Sequence, residues 1–152
     1  MEFYNFGYTA PFPKDTKITK EQAFEALRHK ARDPVKFVPV IVGCELLEET
    51  STFIKRTMTT RDGNTIEEYI DMYDPCFISF KGSNGAMVMN SIVEDKEGCM
   101  FLAFSFSFPV LKGLAPGSDE EAAKKQEWYK IGKDAVETSI VTTLEMLKAG
   151  EL

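Results

Sequence analysis

The chain has 152 residues, of which 43% are hydrophobic, with a net charge of −6 and a sequence pI near 4.9. This length suits one domain with a sizeable core and is short for two, so we expect a single domain over residues 1–152. The acidic charge argues against nucleic acid as a partner, because phosphate backbones would be repelled.

The absence of several motifs argues against common reaction classes and against a membrane-spanning or secreted protein. The sequence has no phosphate-binding loop, dinucleotide-binding glycine motif, nucleophile elbow or zinc-protease helix. Cys44, Cys76 and Cys99 are odd in number and far apart, which predicts three buried free thiols. We therefore expect no metal and no cofactor. The absence of a long apolar run or signal-peptide pattern favours a cytoplasmic protein with no integral membrane segment.

The first third of the chain predicts one strand and two short helices. An aromatic strand over Glu2 to Thr9 is followed by a proline-rich loop. Thr19 and Gln22 have the spacing of a capping box, which predicts the start of the first helix. Its apolar residues Ala23, Leu27 and Ala31 recur at helical spacing, with Phe24 and Lys30 beside them. Asp33 to Val38 predicts a second helix, which Pro39 ends.

The middle of the chain predicts six consecutive antiparallel strands. Turn signals such as Asp62-Gly63 separate β-rich runs at intervals of about 10 residues. The predicted strands are Val40 to Glu48, Phe53 to Thr60, Thr65 to Tyr73, Cys76 to Lys81, Ala86 to Glu94 and Cys99 to Phe108.

The C-terminal segment predicts one long helix of about 45 Å. Ser118 and Glu121 suit its first turn, and Gly150 is placed to end it. Its apolar stripe comprises Tyr129, Gly132, Val136, Ile140, Thr143, Leu144 and Leu147. Because one side of this helix must be covered, we expect it to pack on the aromatic face of the sheet.

The segment CMFLAFSFSF carries the most apolar of the predicted sheet faces. Leu102, Phe104 and Phe106 share one parity with Phe108, while small residues occupy the other. Such a face either fills a core or lines a cavity. We expect Phe108 to lie near a packed end and the other three to border a cavity beneath the helix.

The order of elements predicts an α+β domain in which a curved antiparallel sheet of about seven strands wraps around a long C-terminal helix, with two short helices after the first strand. The segments DPVKFVPVIVGCELLEE, IVEDKEG and FSF followed by APGSDEEA resemble the AtaL-like family of small fungal and bacterial proteins, within the START and Bet v 1-like (SRPBCC) helix-grip superfamily. The resemblance implies a cavity for a hydrophobic small molecule and a role in specialised metabolism. It supplies no catalytic residues.

Candidate catalytic side chains on the strands are Asn90, Arg56 and Tyr69. Asn90 shares parity with apolar neighbours, but the opposite face of its strand is equally apolar. Arg56 either points inward or lies exposed on the convex face, because an unpaired buried guanidinium is costly. Tyr69 can face either side of its strand.

Candidate site residues on the helix follow its apolar stripe. The Tyr129 ring can pack while its hydroxyl points into the cavity, so Tyr129 is our fourth catalytic candidate. Gly132 indicates either close approach to the sheet or space left for a ligand. The predicted ligand-binding residues are Leu102, Phe104, Phe106, Gly132, Val136, Ile140 and Val88.

Two functional hypotheses account for these features. The first is a cofactor-independent cyclase or isomerase of specialised metabolism, which orients a hydrophobic intermediate for reaction. The second is a non-catalytic carrier for a hydrophobic metabolite or lipid. A third hypothesis, an interaction module with a fully packed sheet, would have no cavity. We expect a monomer or a weak homodimer.

Overall fold

The computed structural model describes residues 2–152, and its elements follow the predicted order. The strands are β1 (Tyr4–Pro11), β2 (Ile41–Glu49), β3 (Phe53–Thr60), β4 (Thr65–Tyr73), β5 (Phe77–Gly82), β6 (Met87–Glu94) and β7 (Met100–Phe108). The helices are a short 3₁₀ helix (Lys14–Thr16), α1 (Lys20–Arg32) and α2 (Asp119–Lys148). The predicted α+β helix-grip architecture is confirmed.

All seven strands form one antiparallel sheet in the order β1-β7-β6-β5-β4-β3-β2. Strands β1 and β2 are consecutive in the chain but lie at opposite edges, so the helical segment between them crosses the sheet. Edge strand β2 contains two register shifts against β3. Such irregularities discourage edge-to-edge pairing with a second chain.

Helix α1 begins as predicted, but the second helix does not form. Thr19 and Gln22 exchange both hydrogen bonds of a capping box. The segment after Asp33 is instead a turn in which the Pro34 carbonyl accepts hydrogen bonds from the N–H groups of two later residues. The following carbonyls of Lys36 and Phe37 accept from Thr142 and Ser139 on α2, so tertiary contacts replace a helical continuation.

Helix α2 packs closely on β1 and β7 because Gly132 has no side chain. A Cβ at this position would lie 2.6 Å from one ring atom of Phe6 and 3.0 Å from one of Phe106. Of the two interpretations of Gly132, close approach to the sheet is therefore the one observed. The Phe6 and Phe106 rings are themselves stacked, with centroids 4.6 Å apart.

The inner face of the sheet carries the main core, as the parity of β7 predicts. Leu102, Phe104 and Phe106 are buried, whereas Ser105 is exposed on the outer face. The cysteines differ from expectation: all three are free, but Cys44 and Cys99 are only half-buried and Cys76 is exposed.

We expect Gly132→Ala to lower the free energy of unfolding. The new methyl would overlap two packed aromatic rings, at a cost of about 1–3 kcal/mol. This cost exceeds the helix-propensity gain of at most about 1 kcal/mol. Urea unfolding measures the change, and Lys133→Ala at the next, exposed position is the control. Equal stability of the two variants would contradict close packing at Gly132.

Candidate functional site

An open cavity of about 560 Å³ lies between the sheet and α2. Its walls are largely apolar and include Phe80, Val88, Phe104 and Phe106 from the strands. Helix α2 contributes Trp128, Ile131 and Ala135. This volume falls within the range of about 300–1,000 Å³ that is typical of sites for small organic molecules.

The cavity has a polar opening and a polar inner end. Exposed residues of the β3–β4 and β5–β6 turns, such as Asp62 and Asn84, lie at the opening with Glu127 of α2. Three buried charged side chains line the opposite end, namely Lys30, Arg56 and Glu68. A ligand bound in this cavity would therefore have apolar contacts along its length and polar contacts at its inner end.

Arg56 is only 2% exposed and is held by four hydrogen bonds. Its Nε and one terminal nitrogen donate to the same carboxylate oxygen of Glu68, at 3.0 and 2.7 Å. The other terminal nitrogen donates to the carbonyls of Lys30 and Ala31, at 2.9 and 2.7 Å. Arg56 thus anchors the C-terminal end of α1 to the sheet. These bonds occupy four of the five N–H groups of a guanidinium, leaving one for a ligand.

Lys30 projects from the last turn of α1 into the inner end of the cavity and is 4% exposed. Its Nζ donates a hydrogen bond to Asn90 Oδ1 and lies 4.0 Å from the centroid of the Phe104 ring. The Phe80 ring centroid is 5.2 Å away. The amine is therefore held among aromatic rings, with the Asn90 carbonyl as an acceptor.

The surroundings of Lys30 disfavour its protonated form. Burial lowers the pKa of Lys30 well below its ordinary value, and the positive charge of Arg56 lowers this pKa further. Glu68 acts in the opposite direction, but its carboxylate is already paired with Arg56. The faces of Phe104 and Phe80 attract a cation less strongly than water does, so burial determines the direction.

Asn90 is fully buried and points inward. This is one of the two orientations that the sequence left open. Its Oδ1 accepts from Lys30, while its Nδ2 has no hydrogen-bond partner among residues 2–152. An unsatisfied buried donor costs about 1–3 kcal/mol. The contact with Lys30 is therefore the one polar role that the structure gives to this amide.

The remaining predicted strand residues divide between the cavity and other surroundings. Val88, Phe104 and Phe106 line the cavity, as predicted. Leu102 is buried in the core but is not part of the cavity wall. Tyr69 is 39% exposed on the outer face, where its hydroxyl bonds Glu67 and its ring faces Lys55. The placement of Tyr69 at the site was wrong, because odd-numbered residues of β4 face outward.

The predicted helix residues lie on the wrong side of α2 for the cavity. Tyr129 is 41% exposed and packs against Phe6 and Tyr8 of β1. The others, Gly132, Val136 and Ile140, are buried against the sheet and the core but do not line the cavity. The residues of α2 that line the cavity are Trp128, Ile131 and Ala135, each one position before a predicted residue. One position corresponds to a rotation of about 100° around the helix.

Lys30 and Glu68 were not among the predicted site residues, although the sequence contains a signal for each. Lys30 lies three residues after Leu27, on the buried side of α1. Glu68 shares parity with Ile66 and Ile70, and it pairs directly across the strands with Arg56. Opposite charges on the apolar parity of neighbouring strands would have indicated a buried ion pair.

Comparison with known families assigns the chain to one of them. Residues 6–150 match the family described as acetylaranotin biosynthesis cluster protein L, or AtaL. The chain belongs to the AtaL family. A search of curated proteins by sequence found no significant match.

Solved structures similar to this AtaL-family protein share its fold at low sequence identity. The di-domain ARO/CYC StfQ from the steffimycin biosynthetic pathway superposes with a TM-score of 0.69 and 16% identity, covering 97% of this chain and 52% of StfQ. The Zhui aromatase/cyclase from Streptomyces sp. R1128 has a TM-score of 0.65 and 13% identity, covering 96% and 94%. Ara h 8.0201 has a TM-score of 0.59 and 17% identity, covering 94% and 99%. The chain thus spans about half of StfQ and nearly all of the other two.

Residues 2–152 lack two further features. No group of three or more His, Cys, Asp or Glu side chains there is arranged to hold a metal ion. No helix within those residues combines the length and apolar character needed to span a membrane.

We expect Arg56→Met to lower the free energy of unfolding of this AtaL-family protein by about 3–5 kcal/mol, because it leaves the Glu68 carboxylate buried without its partner. Urea unfolding measures the loss. Lys55→Met, one residue away on the outer face, is the control and should change stability by less than about 0.5 kcal/mol. The double variant Arg56→Met, Glu68→Met should be more stable than Arg56→Met alone. Equal stability of Arg56→Met and Lys55→Met would contradict the proposed anchor.

We expect the stability difference between the wild type and Lys30→Met to depend on pH. Between the lowered pKa of folded Lys30 and its unfolded pKa of about 10.4, only the unfolded chain binds the proton. Wild-type stability relative to Lys30→Met therefore rises as the pH increases through this window. The loss of the Asn90 hydrogen bond is independent of pH and does not affect the slope. Urea unfolding at several pH values measures this difference. If the difference between the wild type and Lys30→Met changed with pH as little as the difference between the wild type and Lys55→Met, the prediction would be contradicted.

Proposed function

We propose that this protein binds a hydrophobic small molecule in the cavity between the sheet and α2, and acts on it as a cofactor-independent cyclase or isomerase of specialised metabolism. The observation that carries the proposal is an open, aromatic-walled cavity of about 560 Å³ that ends at buried Lys30, Arg56 and Glu68. A fully packed interaction module would not leave such a space.

The shape of the cavity supports a catalytic role through orientation. Apolar walls can fold a flexible intermediate, while the buried charged groups fix its polar end at one place. Orienting two reacting groups within one molecule can lower a barrier by about 7–11 kcal/mol in favourable cases. Membership of the AtaL family and the fold shared with aromatase/cyclases are consistent with ring-closing chemistry.

A carrier or protective binding protein is the alternative, and one observation favours it. Four of the five N–H groups of Arg56 are used within the protein, so this guanidinium has little capacity left to stabilise charge on a reacting molecule. In a carrier, the polar inner end would serve only to orient the ligand. A cytoplasmic location and a monomeric or weakly dimeric state remain predictions from the sequence.

Turnover and carriage can be separated with a synthetic aryl triketone whose carbonyl groups alternate with methylenes. The open triketone chain of this molecule can cyclise by attack through oxygen or through carbon. Liquid chromatography with mass spectrometry measures both products over time. A cyclase should accelerate ring closure and change the product ratio. A carrier should bind the triketone and leave the ratio unchanged. Lack of binding, measured by native mass spectrometry, would contradict both functions for this class of molecule.

We expect Ile131→Trp to weaken ligand binding by narrowing the cavity, because Ile131 is a wall residue on α2. The affinity for the fluorescent dye anilinonaphthalene sulfonate should fall at least about tenfold, since the dye and the indole need the same volume. The matched control is Val141→Trp on the exposed side of the same helix. If both variants bind the dye like the wild type, the dye does not occupy this cavity.

A further inference from the structure

We propose that Lys30 is a nucleophilic amine that forms an imine with a ketone group of the ligand, and that the ligands are hydrophobic β-dicarbonyl or longer polycarbonyl molecules. This inference rests on the proposed function, because it places its chemistry in the same cavity. The geometry that carries it is the position of the Lys30 side chain, which is buried, lines the cavity and is held by Asn90 Oδ1 and the Phe104 ring.

Burial, together with the positive charge of Arg56, favours the unprotonated, reactive form of the Lys30 amine. An amine attacks a carbonyl only when it is unprotonated, and an ordinary lysine is about 0.1% unprotonated near neutral pH. The groups that act electrostatically on Lys30 are Arg56 on β3 and Glu68 on β4, which already form an ion pair with each other. A protonated Lys30 would therefore add an uncompensated charge to a buried cluster. Because burial disfavours the charged form, it lowers the pKa of Lys30.

Another lysine also has an aromatic ring and a charged group as neighbours, but it is not buried in a cavity. Lys55 also lies over an aromatic ring, with its Nζ 5.8 Å from the centroid of Tyr69. Lys55 is on the outer face, 34% exposed, and close to the Glu67 carboxylate. Because Lys55 contacts solvent and is not buried in the cavity, it provides a matched comparison for Lys30.

The chemistry balances without an external oxidant or reductant. Lys30 Nζ forms a bond to the carbonyl carbon, and the carbonyl oxygen leaves as water with the two amine protons. Transfer of one proton from the adjacent carbon to nitrogen converts the imine into an enamine. The enamine carbon then forms a bond to a second carbonyl carbon of the same molecule, which closes a ring. The oxygen of that carbonyl takes the N–H proton, and the imine re-forms. Water hydrolyses the imine, releasing the product and restoring the amine.

This sequence of steps defines the class of ligand. One carbonyl must reach Lys30 at the inner end, and a second must lie along the same chain for ring closure. The remainder of the molecule has to be apolar to lie against Phe104, Phe106 and Ile131. Aryl or alkyl polyketones meet these requirements, whereas molecules without a carbonyl group could bind but could not react.

Benzoylacetone, a β-diketone with an aryl end, is the probe for the test. Its condensation with an amine gives a conjugated enaminone with a distinct near-ultraviolet absorbance, and borohydride treatment is not needed to detect it. The wild type, Lys30→Met and Lys55→Met are incubated with the probe near neutral pH, and the modified residue is identified by peptide mass spectrometry. Displacement of bound anilinonaphthalene sulfonate by benzoylacetone is measured on the same samples.

We expect one equivalent of enaminone on Lys30 of the wild type, formed at least about tenfold faster than on any exposed lysine. Lys55→Met should behave like the wild type, and Lys30→Met should lose the adduct while retaining the fold by circular dichroism. If Lys30→Met does not fold, the position of the adduct in the wild type still decides the matter.

Two outcomes would overturn the inference. Absence of an adduct, or modification spread over exposed lysines, shows that Lys30 is not a nucleophile. If dye displacement persists in that case, the cavity still binds ligands and the proposed function survives without imine chemistry. If neither dye nor benzoylacetone binds, the proposed function fails as well.

Discussion

The contact between Gly132 and the rings of Phe6 and Phe106 fixes where α2 can lie, and the cavity is its consequence. At this point the helix backbone rests directly on aromatic side chains of β1 and β7. The sheet extends from that line of contact through β6, β5 and β4 to β3, where Arg56 bonds the last turn of α1. A helix of 30 residues held tightly on one side of a curved sheet leaves a gap on the other, bounded by Ile131 and Ala135.

The inner end of this gap is built around the C-terminal turn of α1. Unpaired carbonyls at a helix end attract positive charge, and the Arg56 guanidinium supplies it through two hydrogen bonds. Glu68 compensates that charge, so the cluster is neutral as long as Lys30 is unprotonated. Burial lowers the pKa of the Lys30 amine beside this cluster, and the Arg56 guanidinium that fastens α1 to the sheet lowers it further.

Much of the fold could be predicted from the sequence because strand parity, turn residues and helix caps act locally. The inward direction of Phe104 follows from the alternation along β7, and the start of α1 follows from Thr19 and Gln22. The segment after Asp33 could not be predicted in this way, since its carbonyls accept hydrogen bonds from hydroxyl groups of α2, more than 100 residues away in the chain.

The site was predicted less well than the fold, for physical reasons that differ between residues. The predicted apolar stripe of α2 contains residues that pack against β1, and such packing cannot be told from lining a cavity by spacing alone. Tyr129 was misplaced for this reason. Lys30 was overlooked because a lysine is rarely buried, although it lies beside the apolar stripe of α1.

The separation between cavity walls and charged cluster has a consequence for how members of one family could diverge. Wall residues such as Val88, Phe106 and Ile131 belong to β6, β7 and α2, whereas Lys30, Arg56 and Glu68 belong to α1, β3 and β4. Substitutions at Val88, Ile131 or Ala135 can therefore reshape the space without touching the hydrogen bonds that hold the cluster. Evolution could exchange one ligand for another of different size while the groups at the inner end stay unchanged.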